Sequence, residues 1–175
     1  MIVISKVGNL VKQNDCDAIV NSANSSMLAG SGVCGAIHKA AGCELERNTK
    51  HLAPLITPNA VITPAFNLPN KYIIHVSTPK FHIDSNPHEL LAQSLHNVLK
   101  LAEENEVQKI AFPAIGTGIH GFPIDAAMDI YAEVASLFSN SVILKEIRFV
   151  FRSSADEEAM NRKIQARIEI WKRGY

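Results

Sequence analysis

The chain has 175 residues, of which 47% are hydrophobic and 19% charged; this is enough apolar material for one core and predicts a single domain over 1–175. Seventeen basic and seventeen acidic side chains cancel, so there is no net field to hold a nucleic-acid duplex or an anionic membrane, and neither is expected as a partner. The start "MIVISKVGNLV" has no long apolar segment or small-residue cleavage site, and Cys16, Cys34 and Cys43 form an odd set without C-x-x-C spacing; a cytoplasmic, reducing location is the expectation.

In chain order, short β-branched runs predict strands at "IVI" near the start, "DAIV" from Asp17, "AVIT" from Ala60, "YIIHV" from Tyr72, "KIAF" from Lys109 and "IRFVF" from Ile147. Helical spacing lies between them. Asn86 as cap, Pro87 at the first helical position and Glu89 at the third predict a helix with the stripe Leu91, Leu95, Val98, Ala102. A second stripe runs Ala127, Ile130, Tyr131, Val134, Leu137, Phe138. Ser154 with Glu157 reads as a capping box opening a last helix through Met160, Ile164, Ile168 and Trp171. Strands alternating with helices predict an α/β layered fold whose largely parallel sheet is covered on both faces and binds ligands off the carboxyl ends of its strands.

The segment "GSGVCGAIHKAAG", Gly30 to Gly42, contains G-x-G-x-x-G running into a helix. A dinucleotide fold needs the first glycine directly after the strand and an acidic residue ending a second strand about 20 residues later. Here "NSANSSMLA" separates Val20 from Gly30, and Glu44 and Glu46 do not end a strand. The dehydrogenase reading therefore fails. The physics of the glycines survives it: small residues let backbone N–H groups approach an anion, and the helix that follows offers its positive end. A second glycine loop, "AIGTGIHGFP" from Ala114, also follows a strand and precedes a helix, so the pair could grip a diphosphate from both sides.

The stretches "DAIVNSANSSMLAGSGVCGAIHKAAG", "AVITPAFNLPNKYIIHV" and "KIAFPAIGTGIHGFP" resemble, in that order and over nearly the whole chain, the macro domain family, and within it the MacroD-type branch. The resemblance implies a three-layer α/β/α fold with a mixed sheet, a cleft for ADP-ribose or an ADP-ribosylated protein, and in many members hydrolysis of ADP-ribosyl esters on acidic side chains or of O-acetyl-ADP-ribose. It requires neither a redox cofactor nor a metal. A non-catalytic reader of ADP-ribose is the alternative. By this resemblance Asn24 contacts the distal ribose and helps place it for catalysis. Gly30, Ser31, Gly32 and Val33 form the first phosphate loop, and Gly116, Thr117, Gly118, Ile119 and His120 the second. Asn9 and Leu10 stand at the adenine end; Asn21, at a strand end, is read as structural.

Four positions depart from the family pattern. Asn9 stands where Gly-Asp is usual and can still accept from an adenine amino group, without charge assistance. Arg152 replaces an aromatic ring against the base and can stack on it. His120 replaces a frequent Tyr and adds a pH-dependent contact. Cys34 stands in "GVCGAIH" where the branch reads G-V-D-G-A-I-H with an Asp proposed to activate water, although viral macro domains include "GVC" and the substrate's own phosphate is thought to serve as base. A thiol nucleophile formed by Cys34 with His38 is disfavoured, since a partner four residues on lies a full turn away and nothing evidently orients His38. His75 reads as a satisfied core histidine, and His82 and His88 lack metal-ligand spacing.

Overall fold

In the computed structural model, which describes residues 1–172, six strands form one sheet: β1 (Ile2–Val7), β2 (Ala18–Ser22), β3 (Ala60–Pro64), β4 (Tyr72–Val76), β5 (Lys109–Phe112) and β6 (Glu146–Phe151). Their order is β1-β6-β5-β2-β4-β3. All neighbours pair in parallel except β3, which runs antiparallel to β4. The four interior strands are buried almost end to end, whereas β1 and β3 at the edges are partly open. This is why the interior strands read as continuous apolar runs rather than alternating ones.

Five helices complete the layers: α1 (Gly32–Ala41), α2 (Cys43–Thr49), α3 (Pro87–Glu104), α4 (Ile124–Leu137) and α5 (Ser154–Lys172). On one face α3, α4 and α5 bury Leu91, Leu95, Val98, Tyr131, Met160 and Ile164 against Ile74, Ile110, Phe112 and Phe149. On the other, α1 and α2 bury Ile37, Ala41 and Leu45 against Ile19, Ile73 and Ala111. The result is the expected α/β/α sandwich with a mixed, largely parallel sheet.

Local details differ from the expectation. Asn86 flanks α3, but its side chain makes no capping bond and its backbone is left-handed, φ 54 and ψ 51. The proline that follows disfavours the α region for Asn86, and asparagine tolerates the left-handed alternative. The cap of α5 is Ser153, not Ser154: its Oγ accepts the Asp156 N–H at 3.1 Å. Leu137 leaves the α4 stripe and is exposed, because it lies about 120° around the helix from Tyr131, near the middle of the buried face, while Met128, Ala132 and Ala135 on the other side of Ala127 are buried instead. The side chain of Trp171 lies outside the described residues.

One charged cluster sits inside this frame. Arg148, on β6 and 4% exposed, donates from Nε to Glu146 at 2.7 Å, from both terminal nitrogens to Asp15 at 2.8 and 2.7 Å, and to Gln13 at 2.8 Å. The guanidinium, chiefly through these bonds, holds the Asp15 carboxyl well below the usual carboxylate range. Asn70 ties the same turn by donating to the Gln13 and Cys16 carbonyls at 2.9 and 2.7 Å. Removing the cation would leave the buried Glu146 charge unpaired, a loss of about 3 to 5 kcal/mol. Arg148→Ala should therefore lower the melting temperature by about 10 °C, while the double replacement Arg148→Met with Glu146→Gln recovers most of it; calorimetric melts of both variants check this.

Candidate functional site

Parallel strands end on the same edge of a sheet, so the segments after β1, β6, β5 and β2 meet there. They enclose a cleft of about 490 Å³. Gly8 to Val11 follow β1 and Arg152 follows β6; Ala114 to His120 follow β5, and Ala23 to Cys34 follow β2. The Gly8 N–H donates to the Phe151 carbonyl at 2.9 Å and ties the first two segments together. Every residue that the sequence placed in the ligand set lines this one cleft: Asn9, Leu10, Asn24, Gly30 to Cys34, Gly116 to His120 and Arg152.

The cleft is built to meet an anion. At the start of α1 the Gly35 N–H already donates to the Ser31 carbonyl at 3.3 Å, and the N–H groups of Gly32, Val33 and Cys34 precede the helical ladder and have no intrahelical acceptor. In the facing loop the Thr117, Gly121 and Phe122 N–H groups close turns onto Ala114, Gly118 and Gly116, while those of Gly118, Ile119 and His120 donate to nothing among the described residues. Two glycines are sterically required here. Gly116 has φ +83, and a Cβ on Gly35 would collide with the Gly30 carbonyl, so α1 can start against the loop only without a side chain there. Gly35 was not recognised from sequence as part of the site; its position in G-x-x-G was the available signal.

Asn24 lines the cleft, whereas Asn21 lies buried beneath it in a structural setting, as expected for that residue. The Asn24 amide holds its own loop: Nδ2 donates to the Leu28 carbonyl at 2.8 Å, and Oδ1 accepts from Ser26 Oγ at 2.6 Å and the Leu28 N–H at 3.3 Å. One Nδ2 hydrogen is left for a ligand. Asn21 is fully buried and starts a polar chain beneath the cleft. Its Nδ2 donates to His75 Nδ1 at 3.0 Å and lies 3.7 Å from Cys34 Sγ; His75 Nε2 then donates to Thr63 Oγ1 at 3.0 Å. His75 is thus a satisfied core histidine. The Cys34 thiol donates to the Leu28 carbonyl at 3.7 Å and has no bond to His38, so no thiol–imidazole pair exists among the described residues. Asn21 Oδ1 and His38 Nδ1 are buried without a protein partner among the described residues.

His120 is anchored through Nδ1 to Thr78 Oγ1 at 2.8 Å, and its carbonyl accepts the Phe81 N–H at 2.8 Å, so the segment after β4 braces the second loop. Burial, with the nearby Lys80, lowers the His120 pKa and keeps the ring neutral at physiological pH. His82 and His88 pack edge-on against Phe81 behind this loop. At the other end of the cleft Asn9 Oδ1 accepts the Val11 N–H at 3.2 Å and caps the short 3-10 turn Leu10–Lys12. Asp156, in the first turn of α5, also lines this end. Nothing in its sequence context pointed to the cleft, because only the docking of α5 on β1 and β6 brings it there.

The macro domain family profile matches residues 20–131. A macro domain-containing protein of Caldanaerobacter subterraneus is 43% identical over 160 residues, covering 89% of this chain and 91% of that one. An O-acetyl-ADP-ribose deacetylase of Escherichia fergusonii is 40% identical over 158 residues, covering 87% and 89%. A solved structure of the Oceanobacillus iheyensis macrodomain with ADP superposes with a TM-score of 0.89 at 34% identity, covering 94% of this chain and 90% of that chain. The chain belongs to the macro domain family.

Burial lowers the His75 pKa from 6.5 to about 3. Between those values the unfolded chain binds a proton that the folded chain refuses. The stability His75 confers is therefore full above pH about 6.5 and falls as pH drops, by about 1.4 kcal/mol per unit for one such group. His38 and His120, also lowered by burial, act in the same direction. Denaturant midpoints measured from pH 7 to 5 should fall, and His75→Gln, although less stable at pH 7, should show a shallower slope.

Proposed function

We propose that this macro domain binds ADP-ribose in the cleft and hydrolyses ADP-ribosyl esters, either mono-ADP-ribose on acidic side chains or O-acetyl-ADP-ribose. The observation that carries the reading is the pair of facing loops whose unpaired N–H groups, from Gly32 to Cys34 and from Gly118 to His120, border one cleft. A diphosphate supplies the acceptors they lack, and the first turn of α1 adds its dipole. The likeness to a deacetylase of O-acetyl-ADP-ribose supports the choice of ester chemistry.

Held this way, the diphosphate bends between the loops and delivers the distal ribose to the end bordered by Asn24 and His120. The remaining Asn24 Nδ2 hydrogen orients a ribose hydroxyl. A water beside the α-phosphate attacks the ester carbon as its proton passes to a phosphate oxygen; the ester C–O bond breaks with its electron pair on the leaving oxygen, and the phosphate returns the proton to that oxygen when it is a ribose alkoxide, or to solvent when a carboxylate leaves. Cys34 stands in the first turn of α1 and offers no carboxylate, so the chain's own contribution is positioning. The second reading, a binding module without turnover, draws on the same observation: the thiol is occupied by Asn21 and Leu28 and is not poised toward a water.

Calorimetry should show ADP-ribose binding on the order of −7 to −8 kcal/mol, micromolar strength, with NAD much weaker because nicotinamide crowds the distal end. Tighter binding of NAD would overturn the assignment. For the loops, Gly118→Glu is the clean probe: an added Cβ meets nothing within 4 Å and the backbone is ordinary, so binding should be lost with little change in melting temperature. Gly32→Glu should lose binding and also stability, since φ is +58 there.

The turnover assay uses mono-ADP-ribosylated acidic protein and O-acetyl-ADP-ribose. If the substrate phosphate activates water, Cys34→Ala keeps measurable turnover, Cys34→Asp raises it, and Asn24→Ala suppresses it by about 10- to 1000-fold. Release of no ADP-ribose by wild type at stoichiometric protein, with binding intact, would leave the binding module as the function.

A further inference from the structure

We propose that Asp156 reads the base of the bound nucleotide, accepting a hydrogen bond from the exocyclic amine of adenine and so selecting adenosine at this end of the cleft. The inference rests on the reading of the cleft as an ADP-ribose site.

Three observations carry it. First, Asp156 lines the cleft beside Arg152 and the Gly8–Val11 segment, at the end farthest from the loops that border the distal ribose. Its backbone N–H donates to Ser153 Oγ at 3.1 Å, which fixes the first turn of α5 and so the place of Asp156 at the cleft wall. Its carboxylate has no hydrogen bond or ion pair among the described residues, unlike Asp15, Asp17, Asp84, Asp125 and Asp129. Second, Asn9, the position that the family resemblance points to for this task, has its Oδ1 engaged with the Val11 N–H as a cap and lacks a charge to strengthen a further bond. Third, the walls here are largely apolar: Leu10, Val11, Ile124, Val150 and Phe151 line this end, and the other side-chain acceptor beside them, Asn9 Oδ1, is neutral and already takes one bond.

Charge decides which part of the nucleotide meets the carboxylate. Asp156 repels a diphosphate, so it is tolerated best where the phosphates are farthest away. In adenosine that point is the exocyclic amine, a donor with two hydrogens. The cleft thus separates its tasks by sign, with unpaired N–H groups toward the anion and one carboxylate toward the amine.

The experiment compares ADP-ribose with its analogue in which adenine is replaced by purine, lacking only the exocyclic amine, on wild type, Asp156→Ala and Asp156→Ser by calorimetry. The wild type should bind the analogue about 10-fold more weakly, and both variants should bring the two ligands within about 3-fold of each other, chiefly by losing affinity for ADP-ribose. Equal binding of the two ligands by wild type overturns the proposal. So does a preference that survives in both variants, or an equal weakening of both ligands, which would place the carboxylate on the ribose. Failure of the wild type to bind ADP-ribose at all would instead remove the reading of the cleft on which the proposal stands.

Discussion

Parallel pairing of β1, β6, β5 and β2 forces four strand ends onto one edge of the sheet, and the cleft follows from that geometry. Each strand hands its chain to a loop or helix start at the same level. The backbone groups that no ladder satisfies collect where the crossovers begin. Antiparallel strands would have alternated these ends between two edges. The one antiparallel member, β3, sits at the margin and contributes nothing to the cleft lining.

Beneath the anion-facing surface the protein is neutral. Asn21, His75 and Thr63 link Cys34 to the far edge of the sheet through hydrogen bonds, and burial holds His75 uncharged. A cation there would strengthen the attraction of the cleft for a diphosphate, but at the cost of desolvating a charge in the core. Backbone dipoles achieve a similar end without that cost, since they are fixed by the fold and need no counter-ion. Among the described residues the buried full charges are Arg148 and Glu146, on the β1–β6 side, where their mutual contact and the bidentate pairing of Arg148 to the half-exposed Asp15 compensate their burial.

The second loop is braced from outside the first. Thr78 and Phe81 hold His120 by its ring and its carbonyl, and Gly121 packs near His82. Residues after β4 therefore brace one wall of the cleft, although they do not line it. Ile119, at the tip of that loop, is 91% exposed, an aliphatic side chain with no protein surface to cover it.

The six strands and the main helical stripes were legible in the sequence because periodicity is a local property: Leu91, Leu95, Val98 and Ala102 face the core wherever the helix docks. The glycine loops were legible for a related reason, since short runs of small residues before a helix already define an anion-binding shape. What the sequence could not contain is who meets whom across the sheet. Arg148 and Asp15 are 133 residues apart and read separately as a charge in a strand and a charge in a turn; only the assembled sheet joins them. Asn24 reads as a ligand contact, and the turn at Ser26 to Leu28 takes part of its amide while leaving one Nδ2 hydrogen, a division visible only once the loop is folded. Asp156 read as an ordinary first-turn acid, and the docking of α5 carried it to the cleft. Sequence fixes which groups are available along each element. The tertiary structure decides which remain unpaired, because a hydrogen bond is a matter of distance in space and not of separation along the chain.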